Sequence, residues 1–277
     1  MSQGSSPPGG GTAMQRFRHA YAGHRAAEGR GAGGPAELLA LPYLRTGGHA
    51  RSWAVRARTF DAFLDVVVAP LADAAGTRPL RVLDAGAGNG WLSYRLARMG
   101  HVCVALDVRH DAVDGLGAAA GYAPHLASMF ARLAASFEAL PLRDAVFDLV
   151  TFNASLHYAS SLSRVLSQAV RTVRPGGRLA VLDSPFYARE EDGAAMVAEK
   201  QAGAAVVFGE RAHDLLALPC AEFLTRARLE RGSEGSGLDW HRHRVRYPMR
   251  YEARPVVAAL LRRRPPSRFD LWETVVP

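Results

Sequence analysis

The chain has 277 residues, of which 48% are apolar and 22% are charged, so it can build a folded core and wholesale disorder is excluded. No apolar run reaches the roughly 18 residues of a membrane span, and the first residues lack the pattern of a secretory signal. The two cysteines, Cys103 and Cys220, are too few for a disulfide framework. We therefore expect a cytoplasmic protein without a membrane span.

The formal net charge is +8, and Lys200 is the only lysine. The charge is concentrated at the end of the chain, where residues 241–277 hold nine arginines against three acidic residues. Such a segment can be a solvated face, or it can contact RNA, an acidic lipid surface or an anionic substrate. Its role stays open at this point.

Three regions follow one another along the chain. Residues 1–35 are rich in Gly, Ser, Pro and Ala and are expected to be disordered or loosely helical. Residues 36–79 carry apolar side chains near helical spacing, which predicts a helical cap. Residues 80–277 alternate short apolar strands with helical segments and form the predicted main domain, with a basic C-terminal part.

The alternation in the main domain predicts an α/β fold. The predicted strands are Arg81–Asp84, Val102–Leu106, Arg132–Ser136, Phe147–Phe152, Arg178–Leu182, Asp239–Arg246 and Phe269–Val276. The predicted helices are Trp91–Met99, His110–Ala119, Ser161–Val173, 190–208 and Pro255–Arg263. This order implies parallel pairing in a Rossmann-like, doubly wound, seven-stranded sheet with helices on both faces.

A glycine loop follows the first predicted strand, in the sequence DAGAGNG at residues 84–90. Glycine lets a ligand lie against bare backbone, and the following helix offers unpaired N–H groups. About twenty residues on, the second strand ends at Asp107, whose carboxylate can accept the two hydroxyls of a ribose. These residues predict a nucleoside site. Trp91 stands where a dinucleotide fingerprint needs its third glycine, which disfavours a nicotinamide oxidoreductase.

The DAGAGNG loop resembles motif I of the class I S-adenosylmethionine-dependent methyltransferases, and the residues that follow resemble that family in the family's order. The resemblance covers about residues 80–185 and includes Arg174-Pro175-Gly176-Gly177 before the fifth strand. It implies S-adenosyl-L-methionine as cofactor, with Asp84 near the methionine moiety and Asp107 on the ribose. The cofactor-binding residues that it implies are Asp84, Gly86, Ala87, Gly88, Asn89, Gly90, Asp107, Val108, Ser136, Phe137, Glu138 and Asn153.

One of these positions departs from the family pattern. Members often have Asp where this chain has Ser136, and there the carboxylate receives the adenine amino group. Serine is uncharged and a poorer acceptor. The resemblance then leaves Phe137 and Glu138 to supply the adenine contacts.

The end of the fourth strand faces the cofactor's methyl group in this fold, and it reads Asn153-Ala154-Ser155-Leu156-His157-Tyr158. The prolines of the motif used by amino-methylating enzymes on DNA or protein are absent, so the small-molecule branch is favoured. His157 is the candidate catalytic base, and a structural histidine is the alternative. Asn153 is expected at the cofactor edge.

The candidate substrate-binding residues are Tyr158, Tyr187 and His241. Tyr187 follows the fifth strand, where loops build the pocket of such sheets. His241 and His243 would share one face of a strand, but no carboxylate or cysteine cluster accompanies them, so no metal site is predicted.

These observations predict a methyltransferase that moves a methyl group by in-line displacement to an N, O or C atom of a small molecule. Two alternatives stay open. The first is an RNA-directed methyltransferase that uses the arginine-rich C-terminus, although nucleic acid as a partner is disfavoured because no added RNA-binding domain is recognisable. The second is a non-catalytic cofactor-binding protein. The oligomeric state is not predicted.

Overall fold

The computed structural model describes residues 10–29 and 34–277. Its centre is one seven-stranded sheet with the strand order β3-β2-β1-β4-β5-β7-β6. The strands are β1 Arg81–Ala85, β2 Val102–Asp107, β3 Ala131–Ala134, β4 Phe147–Asn153, β5 Val173–Leu182, β6 His241–His243 and β7 Leu271–Val275. The predicted Rossmann-like α/β fold with seven strands is confirmed.

The described residues form twelve α-helices. They are α1 Gly10–Ala27, α2 Gly34–Ala40, α3 Ala50–Phe63, α4 Ala69–Ala75, α5 Trp91–Arg98, α6 Leu162–Thr172, α7 Glu190–Ala202, α8 Ala204–Phe208, α9 Ala212–Leu216, α10 Arg226–Gly232, α11 Met249–Glu252 and α12 Arg254–Leu260. A π-helical turn, Leu64–Val68, joins α3 to α4.

Strands β1 to β5 pair in parallel, as their alternation with helices predicts. The pairing changes at the far edge, where β7 runs antiparallel to both β5 and β6. The carboxyl ends of β1, β2, β4 and β5 therefore meet at one edge of the sheet, which is where ligands bind in open α/β sheets.

Two apolar clusters cover the two faces of the sheet, because side chains alternate along each strand. In β1, Val82 belongs to the cluster with α3 and α5, whereas Leu83 and Ala85 belong to the cluster with α6. Trp91 of α5 packs edge-on against Trp53 and Phe60 of α3. Helix α3 is thereby fixed to the body of the sheet.

The sequence predicts disorder or loose helix over residues 1–35. Among the described residues of that range, the structure has α1, Gly10–Ala27, and the start of α2, so these residues are helical and not disordered. Residues 1–9 and 30–33 lie outside the described residues. Tertiary contacts of α1 explain the difference, because its side chains bond residues that follow β2, and composition does not reveal such partners.

The predicted helix His110–Ala119 is wrong. The Asp111 carboxylate accepts hydrogen bonds from the backbone N–H groups of Val113, Asp114 and Gly115, which closes a turn instead of a helix. A 3₁₀ helix, Ala118–His125, follows this turn.

The segment from β5 to β7 wraps one end of the sheet. The predicted helix over 190–208 is split into α7 and α8, and the last strands are shorter than predicted. Among the described residues no helix is both long and apolar enough to cross a membrane.

Candidate functional site

The loop from β1 to α5 follows backbone conformations that favour glycine. Gly86, Gly88 and Gly90 have φ values of 82°, 55° and 74°. A Cβ built on Gly86 would lie 2.3 Å from the Cβ of Ser155, at the end of β4. The loop therefore closes tightly against the neighbouring strand and leaves bare backbone along its outer side.

The carboxylate at the end of β2 organises this loop. One oxygen of Asp107 accepts the Gly88 N–H at 2.8 Å, and the other accepts the Arg109 N–H at 2.8 Å. Burial raises the pKa of Asp107, and these two backbone bonds oppose the rise. A carboxylate oxygen has more than one acceptor site, so Asp107 can also receive the hydroxyls of a ribose.

Asp84, the acidic residue that opens the motif, is only 1% exposed. Its Oδ2 accepts the Ser93 hydroxyl at 2.9 Å, whereas its Oδ1 has no partner among the described residues. Burial raises the pKa of Asp84 to about 7, against the Ser93 hydrogen bond. A buried carboxylate with an unused oxygen has the chemistry to receive an ammonium group.

The loop after β3 lies beside the glycine loop. The Phe137 ring packs edge-on against Phe152 and would be 3.5 Å from a Cβ at Gly86. The Ser136 hydroxyl accepts the Glu138 N–H at 3.2 Å, and the Glu138 carboxylate accepts bonds from the backbone and hydroxyl of Ser160. The structure thus brings Phe137 to the glycine loop, and it gives the Glu138 carboxylate a partner that the sequence does not reveal.

Strands β4 and β5 end side by side, with Asn153 paired to Leu182 and followed by Ala154 and Asp183. Ala154 and Asp183 are not glycines, yet their φ values are 53° and 51°. Such backbone strain is concentrated at functional sites. The Oδ1 atoms of Asn153 and Asp183 are buried and have no partner among the described residues. Burial raises the pKa of Asp183 to about 6, and Arg56 and Thr59 oppose this rise.

His157 lies in the 3₁₀ turn Leu156–Tyr158 that follows β4. Its Nδ1 is 3.3 Å from the Ser184 hydroxyl, and its ring contacts that of Tyr158. Burial lowers the pKa of His157 to about 3, and the positive charges of Arg56 and Lys200 act in the same direction. The imidazole is therefore neutral at physiological pH.

Helix α1 covers the ends of β2 and β4. Arg18 donates to the carbonyl oxygen of Val108 at 3.2 Å, and Arg25 donates to Asp114 at 2.9 Å. The hydroxyls of Tyr21 and Tyr158 are 3.2 Å apart. The sequence does not reveal these contacts, because the helix precedes the glycine loop by some sixty residues and has little amphipathic pattern.

Asp114 also connects α1 to the glycine loop. Its Oδ1 accepts the Asn89 amide at 3.2 Å, while its Oδ2 accepts Arg25 and lies 3.6 Å from Arg109. Sequence reasoning missed Asp114 because the loop after β2 was predicted as a helix. The sequence signal that could have pointed to Asp114 is its acidic side chain in the segment that follows Asp107.

Of the predicted substrate residues, one lies away from this edge of the sheet and another has a hydroxyl that is already hydrogen-bonded within the protein. His241 is exposed on the edge strand β6, 3.5 Å from Asp239, so the structure removes it from the predicted pocket. Tyr187 is buried, and its hydroxyl accepts a hydrogen bond from Arg264. His243 contacts Glu273 at 2.9 Å, and the described residues contain no group of three side chains that could hold a metal.

Three observations fit S-adenosylmethionine to this edge of the sheet. The loop has glycine at residues 86, 88 and 90, so a nucleoside can lie against backbone that carries no side chain. Asp107 stands at the end of β2 and bonds the glycine loop, and Asp84 has a buried oxygen without a partner among the described residues. The fold and the site together define an α/β protein that binds a nucleoside cofactor at the carboxyl ends of its strands.

Comparison with known proteins relates part of the chain to a known family. Residues 83–181 match the family model of a methyltransferase domain. The matched segment, which carries the glycine loop and strands β2 and β4, is thus similar to a methyltransferase domain.

Curated relatives match part of the chain. A malonyl-[acyl-carrier protein] O-methyltransferase of Erwinia pyrifoliae is 36% identical over 100 residues, which are 36% of each chain. The ubiquinone/menaquinone biosynthesis C-methyltransferase UbiE of Methylobacterium nodulans is 34% identical over 111 residues, 39% of this chain and 43% of the relative. The matches thus span well under half the length of these relatives.

Solved structures share the fold over more of the chain. A Streptomyces coelicolor geranyl diphosphate C-methyltransferase aligns with a TM-score of 0.57 and 14% identity over 86% of this chain and 84% of its own. The Burkholderia thailandensis 1,6-didemethyltoxoflavin-N1-methyltransferase aligns with a TM-score of 0.54 and 17% identity, over 100% of this chain and 94% of its own. At these low identities, the TM-scores show a likeness of fold alone.

Proposed function

We propose that the protein transfers the methyl group of S-adenosylmethionine to an N, O or C atom of a small organic acceptor. One observation carries the proposal. The nucleoside cradle of β1 and β2 shares its edge of the sheet with Asn153 and Asp183, whose buried Oδ1 atoms have no hydrogen-bond partner in the described part of the chain. The curated relatives, named as O- and C-methyltransferases, support this class of reaction.

The cofactor would be held by the residues predicted from the motif. Asp84 would receive its amino group, the backbone from Gly86 to Gly90 would wrap it, and Asp107 would accept the ribose hydroxyls. Val108, Ser136 and Phe137 would border the adenine, with Glu138 fixing that loop to Ser160. When bound, S-adenosylmethionine supplies a methyl group that is already activated, so the chain needs mainly to align the acceptor and exclude water.

Two residues would handle a proton of the acceptor. Asp183, with a pKa of about 6, is ionised at neutral pH and still basic enough to accept a proton or hold a donor group. His157, with a pKa of about 3, would be only a weak base and would serve as a neutral hydrogen-bonding group. Asp183 is therefore the stronger candidate, a role that the sequence assigns to His157.

The acceptor is expected to carry an anionic or strongly polar group. Arg56 of α3 is half-buried, acts on both His157 and Asp183, and has no ion-pair partner among the described residues. Its guanidinium lies 5.1 Å from the centre of the Trp53 ring, which orients it. A carboxylate, phosphate or enolate on the acceptor would complement this charge. Tyr158, close to Tyr21 of α1, would close the site, and Tyr187 would support its wall.

The first experiment is calorimetric titration of the purified chain with S-adenosylmethionine, S-adenosylhomocysteine and NADH. We expect binding of the two sulfur compounds and none of NADH, because Trp91 replaces the third glycine of a dinucleotide loop. Candidate acceptors are then screened by release of S-adenosylhomocysteine. Binding without turnover on any acceptor would favour a non-catalytic cofactor-binding protein. Binding of NADH alone would overturn the proposal.

A further inference from the structure

The segment between β6 and β7 carries an exposed apolar surface. Met249, Val256 and Leu260 are 84%, 63% and 79% exposed, and the neighbouring Val257 and Leu261 are also exposed. Helix α12 has no buried residue. We call residues 244–264 the basic arm. Exposed apolar side chains that are grouped in this way mark an interaction surface.

The charges of the basic arm fall into two groups. The first group holds the segment in place: Arg254 bonds the carbonyl oxygen of Ser267, and Arg264 pairs with Glu199. Arg268, which lies just beyond the arm, pairs with Glu252 inside it. The second group is exposed and forms no ion pair with any residue in the described part of the chain. It consists of Arg244, Arg246, Arg250, Arg262 and Arg263. The one acidic residue of the arm, Glu252, is already engaged by Arg268, so five positive charges surround the apolar side chains.

The inner side of the basic arm is firmly attached to the domain. The Tyr247 hydroxyl donates to the carbonyl oxygen of Phe269 at 2.6 Å, and the Tyr251 hydroxyl accepts the Phe269 N–H at 3.0 Å. Tyr247 also lies 3.0 Å from the hydroxyl of Thr59 in α3. The exposed apolar side chains therefore stand on an ordered base, with a fixed direction toward solvent.

Protruding aliphatic side chains ringed by arginines match the boundary between anionic headgroups and acyl chains. We propose that the basic arm docks the protein on anionic lipid membranes, with Met249, Val256 and Leu260 entering the boundary and the free arginines meeting lipid phosphates. RNA is disfavoured, because both aromatic side chains of the arm, Tyr247 and Tyr251, are buried and cannot stack on bases.

Docking on a membrane would also affect which acceptor molecules reach the proposed site. The arm contacts α3 through Thr59, one helical turn from Arg56, so docking would bring the proposed acceptor site close to the membrane. An amphiphilic acceptor dissolved in the membrane would then be concentrated near the site. This consequence rests on the proposed function, whereas lipid binding itself does not require methyl transfer.

The test is co-sedimentation of the full chain with phosphatidylcholine vesicles that either contain or lack phosphatidylglycerol. We expect binding to the anionic vesicles only, weakened by added salt. The double variant Arg262→Glu/Arg263→Glu should reduce partitioning at least about tenfold. The matched control, Arg98→Glu/Arg143→Glu, reverses the charge of two exposed arginines outside the arm. It should bind the vesicles as the unaltered chain does.

A second pair of variants tests the apolar contribution. Leu260→Asp should weaken vesicle binding, whereas Met99→Asp, at a residue that is 51% exposed beyond α5, should not. Thermal unfolding checks that each variant is folded, and S-adenosylmethionine titration checks the cofactor site separately. If Leu260→Asp does not fold, the arginine variants and the salt dependence decide the result.

Several results would overturn the proposal. They are absent binding to anionic vesicles, equal loss in the control variants, or salt-dependent binding of RNA that the Arg262→Glu/Arg263→Glu variant abolishes. Self-association in light scattering that Leu260→Asp abolishes, with no vesicle binding, would assign the arm to an interface between copies of the chain. Intact vesicle binding without any methyl transfer would leave docking established and would contradict only the proposed function.

Discussion

Gly86 and Ser155 approach so closely that a Cβ on Gly86 would lie 2.3 Å from the Cβ of Ser155. Ser155 is itself held by a 2.6 Å hydrogen bond from its hydroxyl to the carbonyl oxygen of Ala85. The end of β4 therefore sets the position of the glycine loop. A side chain at residue 86 must displace one strand end or the other.

The variant Gly86→Ala tests this contact. We expect a loss of about 3 kcal/mol or more in the free energy of unfolding and loss of S-adenosylmethionine binding, because steric overlap adds to the cost of a positive φ. Gly235→Ala is the control, since Gly235 has a φ of 75° but nothing within 4 Å of its Cβ position. It should lose only about 1 kcal/mol and bind the cofactor normally. Normal cofactor binding by Gly86→Ala would contradict the proposed cradle.

The variant Asp107→Ala removes both the proposed ribose acceptor and the bonds to the Gly88 and Arg109 N–H groups. Affinity for S-adenosylmethionine should fall by about 1.5–3 kcal/mol or more, measured by calorimetric titration. The control Asp73→Ala changes an exposed carboxylate in α4 and should have no effect. Unchanged affinity in Asp107→Ala would refute the ribose assignment.

Cofactor affinity should depend on pH through Asp84. Burial raises the pKa of Asp84 to about 7, and the cofactor's ammonium group favours the ionised carboxylate. Below pH 7 a proton must leave on binding, so affinity should fall by up to about tenfold per pH unit and level off above pH 7. Titration in buffers of different ionisation enthalpy measures the released proton. Asp84→Asn should flatten the profile, and a flat profile in the unaltered chain would contradict the role of Asp84.

Asp183 should affect stability in the absence of cofactor. Because its pKa of about 6 exceeds that of an unfolded aspartate, the folded state binds the proton more tightly. Its contribution to stability is complete below about pH 4 and is lost as the pH rises through about 6. Asp183→Asn should therefore gain stability relative to the unaltered chain over this interval, in denaturant titrations. A constant difference between the two proteins across the interval would show that the buried carboxyl is not shifted.

The two candidates for proton transfer can be separated kinetically with an acceptor from the screen. Asp183→Asn should slow turnover by about 100-fold or more and remove the rise in rate near pH 6. His157→Ala should leave cofactor affinity unchanged and keep that rise, because its imidazole is already neutral there. The opposite pattern, with the rise lost only in His157→Ala, would restore His157 as the base.

The sequence predicts the central sheet well because its signals are local. Each of the strands β1, β2, β4 and β5 is a short apolar run, and the glycine loop follows the first of them directly. The loop after β2 was less predictable, since the Asp111 carboxylate competes with the backbone for its N–H groups. Helix α1 was not predictable from composition, because its partners lie far away in the chain.

By itself, the sequence determined the α/β class, the cofactor loop and the carboxylates at the ends of β1 and β2, because strand periodicity and glycine spacing are local properties. Only the tertiary structure decided that, among the described residues, Asp183 Oδ1 has no hydrogen-bond partner and Arg56 has no ion-pair partner, and which face of the arginine-rich segment is exposed. Burial and pKa depend on every element packed around a group, and those elements are distant in sequence. His241 shows the limit: its place on an edge strand follows from sheet order, which residue spacing does not encode.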